Sequence, residues 1–196
     1  MARILLLTQV LPYPLDSGAK VRNYYVLRHL TAQHQVTLVS FVRQDDPPEA
    51  IAHLCSWAHA VHTVPMQRSL WRDARAALIS ALTGRSAIIL RDEIGAMHAL
   101  LRRLVSQSAF DAIHADQTSM AQYALYAASC ASRVALPSPT GLVGEAATCP
   151  TGGRLQGVRA SDRPLLVLDA HNALYRIPQR LAAHEPNPLK RWLLAR

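Results

Sequence analysis

The sequence is poor in cysteine. Cys55, Cys130 and Cys149 are far apart, odd in number and in no metal-ligand spacing, which argues against a disulfide scaffold and a zinc site and suits a reducing cytoplasm. No uninterrupted apolar segment approaches the ~20 residues that span a bilayer. The apolar start Ile4-Leu-Leu-Leu7 is also shorter than the ~7–15-residue core of a signal peptide, so it reads as a buried strand and any membrane contact as peripheral. Neither GxGxxG nor GxxxxGK occurs, which disfavours a dinucleotide or P-loop site. Lysine is nearly missing: apart from Lys20 and Lys190, the 21 basic residues are arginines.

What remains is a globular composition, 50% hydrophobic and 17% charged over 196 residues, enough for one domain with a real core. The net charge of +8 fits anionic partners such as a nucleotide or phospholipid headgroups. Nucleic acid is not expected, because no stacking motif or basic run accompanies the charge.

Strand-like runs alternate with helical ones, the pattern of an α/β fold with a doubly wound parallel sheet. Strands are expected at Arg3–Thr8, Gln35–Val42, Ala60–Val64, Asp111–Ala115 and Leu165–Asp169. The second and fifth are apolar enough to be buried on both faces. Helical spacing predicts helices at Ala19–Ala32, Pro48–His59, Leu70–Leu82, Glu93–Ser106 and Ser119–Ser132. In the fourth, Ile94, Met97, Leu101, Leu104 and Val105 form one core stripe while Arg102 and Arg103 lie off it. The segment 136–164, rich in proline and glycine, reads as a flexible insertion. Asn187-Pro-Leu-Lys-Arg-Trp opens a helix with no stop signal, so the chain is expected to continue beyond residue 196.

In such a sheet, ligands bind beyond the carboxyl ends of the strands, and three polar segments fall there. After the first strand, Ser17 and Gly18 open a helix whose free N–H groups carry partial positive charge, with Lys20, Arg22 and Asn23 adding donors. Gly18 allows unusual backbone angles and close ligand approach. The alternative is a loop and a solvated helix face, with Val21, Tyr24, Leu27 and Leu30 packed inward. After the fourth strand come Asp116, Gln117 and Thr118; a carboxylate there either orients a substrate hydroxyl or caps the next helix. His114, inside that strand, reads as a hydrogen-bonded core histidine. After the fifth come Asp169, His171 and Asn172, of which packing leaves His171 unexplained. No third ligand stands at a spacing that supports a metal.

Taken in order, Pro12–Arg22, His34–Phe41, Phe110–His114 with Met120–Ala124, Leu168–Asn172 and Glu185–Leu189 resemble the N-terminal lobe of the family-four (group one) glycosyltransferases of GT-B fold. The likeness is strongest to bacterial sugar transferases that build exopolysaccharides and lipid-linked glycans. It implies one Rossmann-like lobe, residues 1–196, of a two-lobed retaining enzyme that is metal-independent and has no cofactor beyond a nucleotide-sugar co-substrate. The absence of Asp-x-Asp agrees with that. The resemblance implies Asp116 and His171 as catalytic candidates and Ser17, Gly18 and Lys20 as contacts to the donor phosphates. Arg22, Asn23, Gln117, Asp169 and Asn172 are then contacts to a glycan or lipid-linked acceptor.

The chain departs from the family pattern at Asp116, where many members carry histidine, and at Ala170, where many carry glutamate. Its four glutamates, Glu49, Glu93, Glu145 and Glu185, contain no E-x-x-x-x-x-x-x-E pair, so the chain is expected to lack the donor-binding second lobe of the family and to be inactive alone. The implied location is the cytoplasm, with peripheral contact to the inner membrane face. A competing expectation is a non-catalytic module that docks on anionic lipid or phosphate ligands through the first helix and the Lys190-Arg-Trp segment.

Overall fold

The computed structural model describes residues 1–66, 69–134, 163–170, 183–188 and 191. Two compact units result, Met1–Gln67 with Ile94–Leu168, and Arg68–Glu93 with Asp169–Arg196.

The first unit is a five-stranded, all-parallel sheet flanked by helices, a Rossmann-like α/β fold. Its elements are β1 (Arg3–Thr8), α1 (Gly18–Thr31), β2 (Gln35–Val42), α2 (Pro48–Cys55), β3 (Ala60–Pro65), α5 (Gly95–Gln107), β4 (Ala112–Ala115), α6 (Thr118–Val134) and β5 (Leu165–Leu168). The second unit contributes α3 (Leu70–Thr83) and α4 (Ala87–Asp92). The strand order is β3-β2-β1-β4-β5.

β1 lies at the centre of the sheet, and its period-two alternation builds two cores. Ile4 and Leu6 pack with Val36, Leu38, Tyr24, Leu27 and Leu54. Leu5 and Leu7 pack with Val39, Phe41, Met97, Leu101 and Tyr123 on the other side. Residues that alternate in sequence point to opposite faces of a strand, so one short apolar run serves both layers. The expected stripe on α5 is observed: Met97, Leu101, Leu104 and Val105 are buried and Ile94 packs partly buried against them, while Arg102 and Arg103 are exposed. Burial, then the charge of Arg103, lowers the pKa of His62 on β3.

The differences from expectation are local. α2 stops at Cys55 rather than His59; the Ser56 hydroxyl donates to the His53 carbonyl at 2.6 Å and the chain turns, the competition with the helix ladder that short hydroxyl side chains offer. α4 is a helix that the spacing does not predict. Between it and α3, Gly84 adopts φ 71° and donates its N–H to the Ser80 carbonyl at 2.9 Å, a left-handed helix end that glycine tolerates best. β5 is exposed at all four residues rather than buried on both faces; it sits at the sheet edge, with β4 as its one strand neighbour among the described residues. The expected insertion at 136–164 and the expected final helix fall almost wholly outside the described residues.

Candidate functional site

Connections on a doubly wound sheet part in opposite directions at one point along the carboxyl edge, and a crevice opens there. In the order β3-β2-β1-β4-β5 that point lies between β1 and β4. Gln9 follows the end of the first strand and Asp116 the end of the second, and the Asp116 N–H donates to the Leu7 carbonyl at 3.0 Å.

Asp116 is 4% exposed. Its Oδ2 accepts from the backbone N–H of Gln9 at 3.1 Å and from Nδ2 of Asn23 at 2.8 Å. Asn23, on the second turn of α1, is itself buried, and Nε2 of Gln117 donates to Oε1 of Gln9. These bonds tie the loop after β1, helix α1 and the β4–α6 turn into one brace. Two hydroxyls flank it, Thr8 Oγ1 at the end of β1 and Ser119 Oγ in the first turn of α6. Both are fully buried and have no hydrogen-bond partner among the described residues.

The loop leading into α1 is anchored on its far side by aromatic packing. Tyr13 stacks on His53 with ring centroids 4.2 Å apart, and the Tyr24 hydroxyl lies 3.1 Å from Nε2 of the same histidine. Leu11 is fully buried. Fixed in this way, the chain enters α1 through Ser17, whose backbone is extended (φ −145°, ψ 154°) and whose side chain forms no cap. Helices leave their first N–H groups without an intrahelical acceptor, so the first turn presents donors and partial positive charge.

Gly18 needs a correction. It has no left-handed φ, and a Cβ built on it meets no atom within 4 Å. The backbone therefore does not require glycine there; of the reasons given for it, close approach by a ligand is the one that remains. Lys20 is also not a bare cation. Its ammonium pairs with Asp16 at 3.0 Å and Asp46 at 3.1 Å. Burial opposes its charge, but the bonds to the two carboxylates prevail and its pKa is raised. A phosphate would have to compete with both.

Arg22 is exposed on α1 and Gln117 half-buried at the start of α6. Asp169, half-buried, follows β5 and begins the second unit, while His171 and Asn172 lie outside the described residues. Sequence reasoning missed Gln9, Thr8, Asp46 and Ser119. Gln9 had a readable signal, since it follows β1 directly, as Asp116 follows β4. Among the described residues no group of three or more histidine, cysteine or carboxylate side chains is placed to hold a metal ion, and no helix is long and apolar enough to cross a membrane. No protein-family model, curated protein or solved structure matches the chain.

Proposed function

We propose that the chain is the acceptor-side lobe of a retaining, metal-independent glycosyltransferase. Such an enzyme moves a sugar from a nucleotide-sugar donor to a hydroxyl of a glycan or lipid-linked acceptor. The bond from the anomeric carbon to the nucleoside diphosphate breaks, a bond to the acceptor oxygen forms, and the acceptor proton leaves with the phosphate. Charge grows on the leaving phosphate in the transition state, and preorganised N–H donors stabilise it most where water is excluded.

The observation that carries this reading is the brace at the switch point. Asp116 holds Asn23 and the loop after β1, and Asn23 lies five residues beyond Gly18, about 7.5 Å along the helix axis. The brace thus fixes the open first turn of α1 above the carboxyl edge of the sheet. In this reading Ser17 and Gly18 receive the donor phosphates and Lys20 supplies charge nearby. Arg22 and Gln117 face the acceptor. Asp116 and Asn23, both buried, are positioning residues rather than groups that touch the sugar. The roles of Asp169, His171 and Asn172 rest on the resemblance alone, and Thr8 and Ser119 offer hydroxyls that a polar ligand would satisfy.

The test is nucleoside diphosphate release from a panel of UDP-, GDP- and ADP-sugars, measured on the chain joined to a second Rossmann-like lobe that carries the paired glutamates. Release that depends on an acceptor and on Gly18 supports the proposal. No release from any donor in the panel sinks it. The lobe by itself is expected to bind nucleotide sugar weakly and to turn over none.

A further inference from the structure

Helix α1 presents a surface beyond the crevice. Asn23, Tyr24 and Leu27 bury its inner side. Gly18, Arg22, Tyr25, Arg28 and His29 are exposed, and at 3.6 residues per turn they fall within one sector of about 120° on the outer side. No residue of α1 is acidic, so the stripe has one sign of charge along the roughly 16 Å from Gly18 to His29. The turn after α2 adds an aromatic ring. Trp57, 40% exposed, sits beneath the Arg28 guanidinium, which lies 5.1 Å from the ring centroid. Arg28 has no ion pair among the described residues. Stacking on an indole holds a guanidinium in place without neutralising it, so less freedom is lost when it binds an anion. Tyr25, 55% exposed, is propped edge-on against the Tyr24 ring, with centroids 5.8 Å apart.

Two arginines interleaved with two fixed rings match a chain that carries carboxylates and presents flat apolar faces between them. Guanidinium groups meet carboxylates in bidentate geometry, and the faces of tyrosine and tryptophan suit the C–H faces of sugar rings. An anionic bilayer fits less well, because an interfacial helix lays large apolar side chains into the lipid and none of the exposed residues of α1 is a large aliphatic one. A second copy would set arginine against arginine. Nucleic acid shares the charge, but the stripe begins at the first turn of α1, which the reading above gives to a sugar donor. An acceptor glycan has to end there.

We propose that the outer side of α1, with Trp57, is an extended subsite for an acidic glycan, Arg22 and Arg28 meeting its carboxylates and Tyr25 and Trp57 its ring faces. The inference rests on the glycosyltransferase reading, for which it names the acceptor as a chain bearing uronic acids.

The test is isothermal titration of the 196-residue chain with oligogalacturonate, beside a neutral maltooligosaccharide of equal length. No sugar donor is present, so a chain that transfers nothing can still bind, and a working transferase can still fail to. Oligogalacturonate should bind and be released as salt rises, and the neutral chain should not bind. Y25S/R28Q should weaken binding at least about tenfold while its circular dichroism is unchanged. In a W71F/W192F background, Trp57 emission should change with oligogalacturonate and not with the neutral chain; this arm decides the matter if Y25S/R28Q fails to fold. Equal binding of the two glycans, no binding of the acidic one, equal binding by Y25S/R28Q, or unchanged Trp57 emission overturns the proposal. So does tighter binding of polyuridylate, or of phosphatidylglycerol vesicles, that the same substitutions abolish, since nucleic acid or lipid would then be the occupant.

Discussion

Gly18→Ala separates fold from function at the entrance to α1. A Cβ at position 18 meets nothing within 4 Å and the residue has no left-handed φ, so the substitution brings neither clash nor backbone strain. Alanine loses less entropy than glycine on entering a helix, a gain of about 0.5–1 kcal/mol in a helix interior and about 0.5 kcal/mol in a first turn. For a chain of this length that raises Tm by about 1–2 °C. In the proposed transferase, the added methyl group would occupy the space through which a donor phosphate reaches the first-turn N–H groups. Loss of one charge-assisted hydrogen bond is worth about 1.5–3 kcal/mol, about ten- to hundredfold in kcat/KM. Differential scanning calorimetry on this chain and steady-state kinetics on the chain joined to a second Rossmann-like lobe measure the two effects separately. A raised Tm with unchanged kcat/KM removes this stretch from the mechanism. A Tm lowered by several degrees shows that the space around Gly18 is not open.

Asp116→Ala leaves the buried Asn23 amide and the half-buried Gln9 N–H without their acceptor; the loss should be about 2–4 kcal/mol by urea unfolding. In a cycle with Asn23→Ala the two should couple by at least about 0.5 kcal/mol, and strict additivity would dissolve the brace. Against the cost of burial, Asp16 and Asp46 raise the pKa of Lys20 above 10.5. Its contribution is complete below the unfolded value and fades as pH climbs through the folded one; Lys20→Met should flatten the stability profile above pH about 10.5, and an unchanged profile refutes the pairing. His62 behaves oppositely. Burial, then Arg103, lowers its pKa below 6.5, so the unfolded chain takes up a proton first and stability falls as pH drops below about 6.5. His62→Gln should remove that step, and an identical acid limb would count against it.

The strands were legible because β1 and β2 are apolar runs bounded by polar residues, and their expected limits, Arg3–Thr8 and Gln35–Val42, match the structure. The α5 stripe was legible for the same local reason. α4 was not: six residues, Ala87–Asp92, cover less than two turns and give no periodicity to read. The exposure of β5 was hidden as well, since Leu165-Leu-Val-Leu168 reads the same in the middle of a sheet as at its edge, and strand order is a property of the whole chain. At the candidate site, the sequence placed polar groups at the carboxyl edge of the sheet but not their partners. Asn23 and Gln9 are 93 and 107 residues from Asp116, beyond the reach of any spacing rule.

That distance changes the meaning of Asp116. Read locally, a carboxylate just after a strand either meets a substrate hydroxyl or caps the helix that follows. The structure supplies a third use, since both donors on Oδ2 belong to elements that precede β2, so the carboxylate locks the start of the chain onto its middle. Such a lock stabilises the fold, but its placement favours function. One of the donors it holds, the Asn23 amide, belongs to the helix whose open first turn lies at the edge, and the other to the loop after β1; electrostatic stabilisation of a transition state depends on donors that do not reorganise. In the proposed transferase, a carboxylate that never touches the sugar would then still set the rate, through the stiffness of α1.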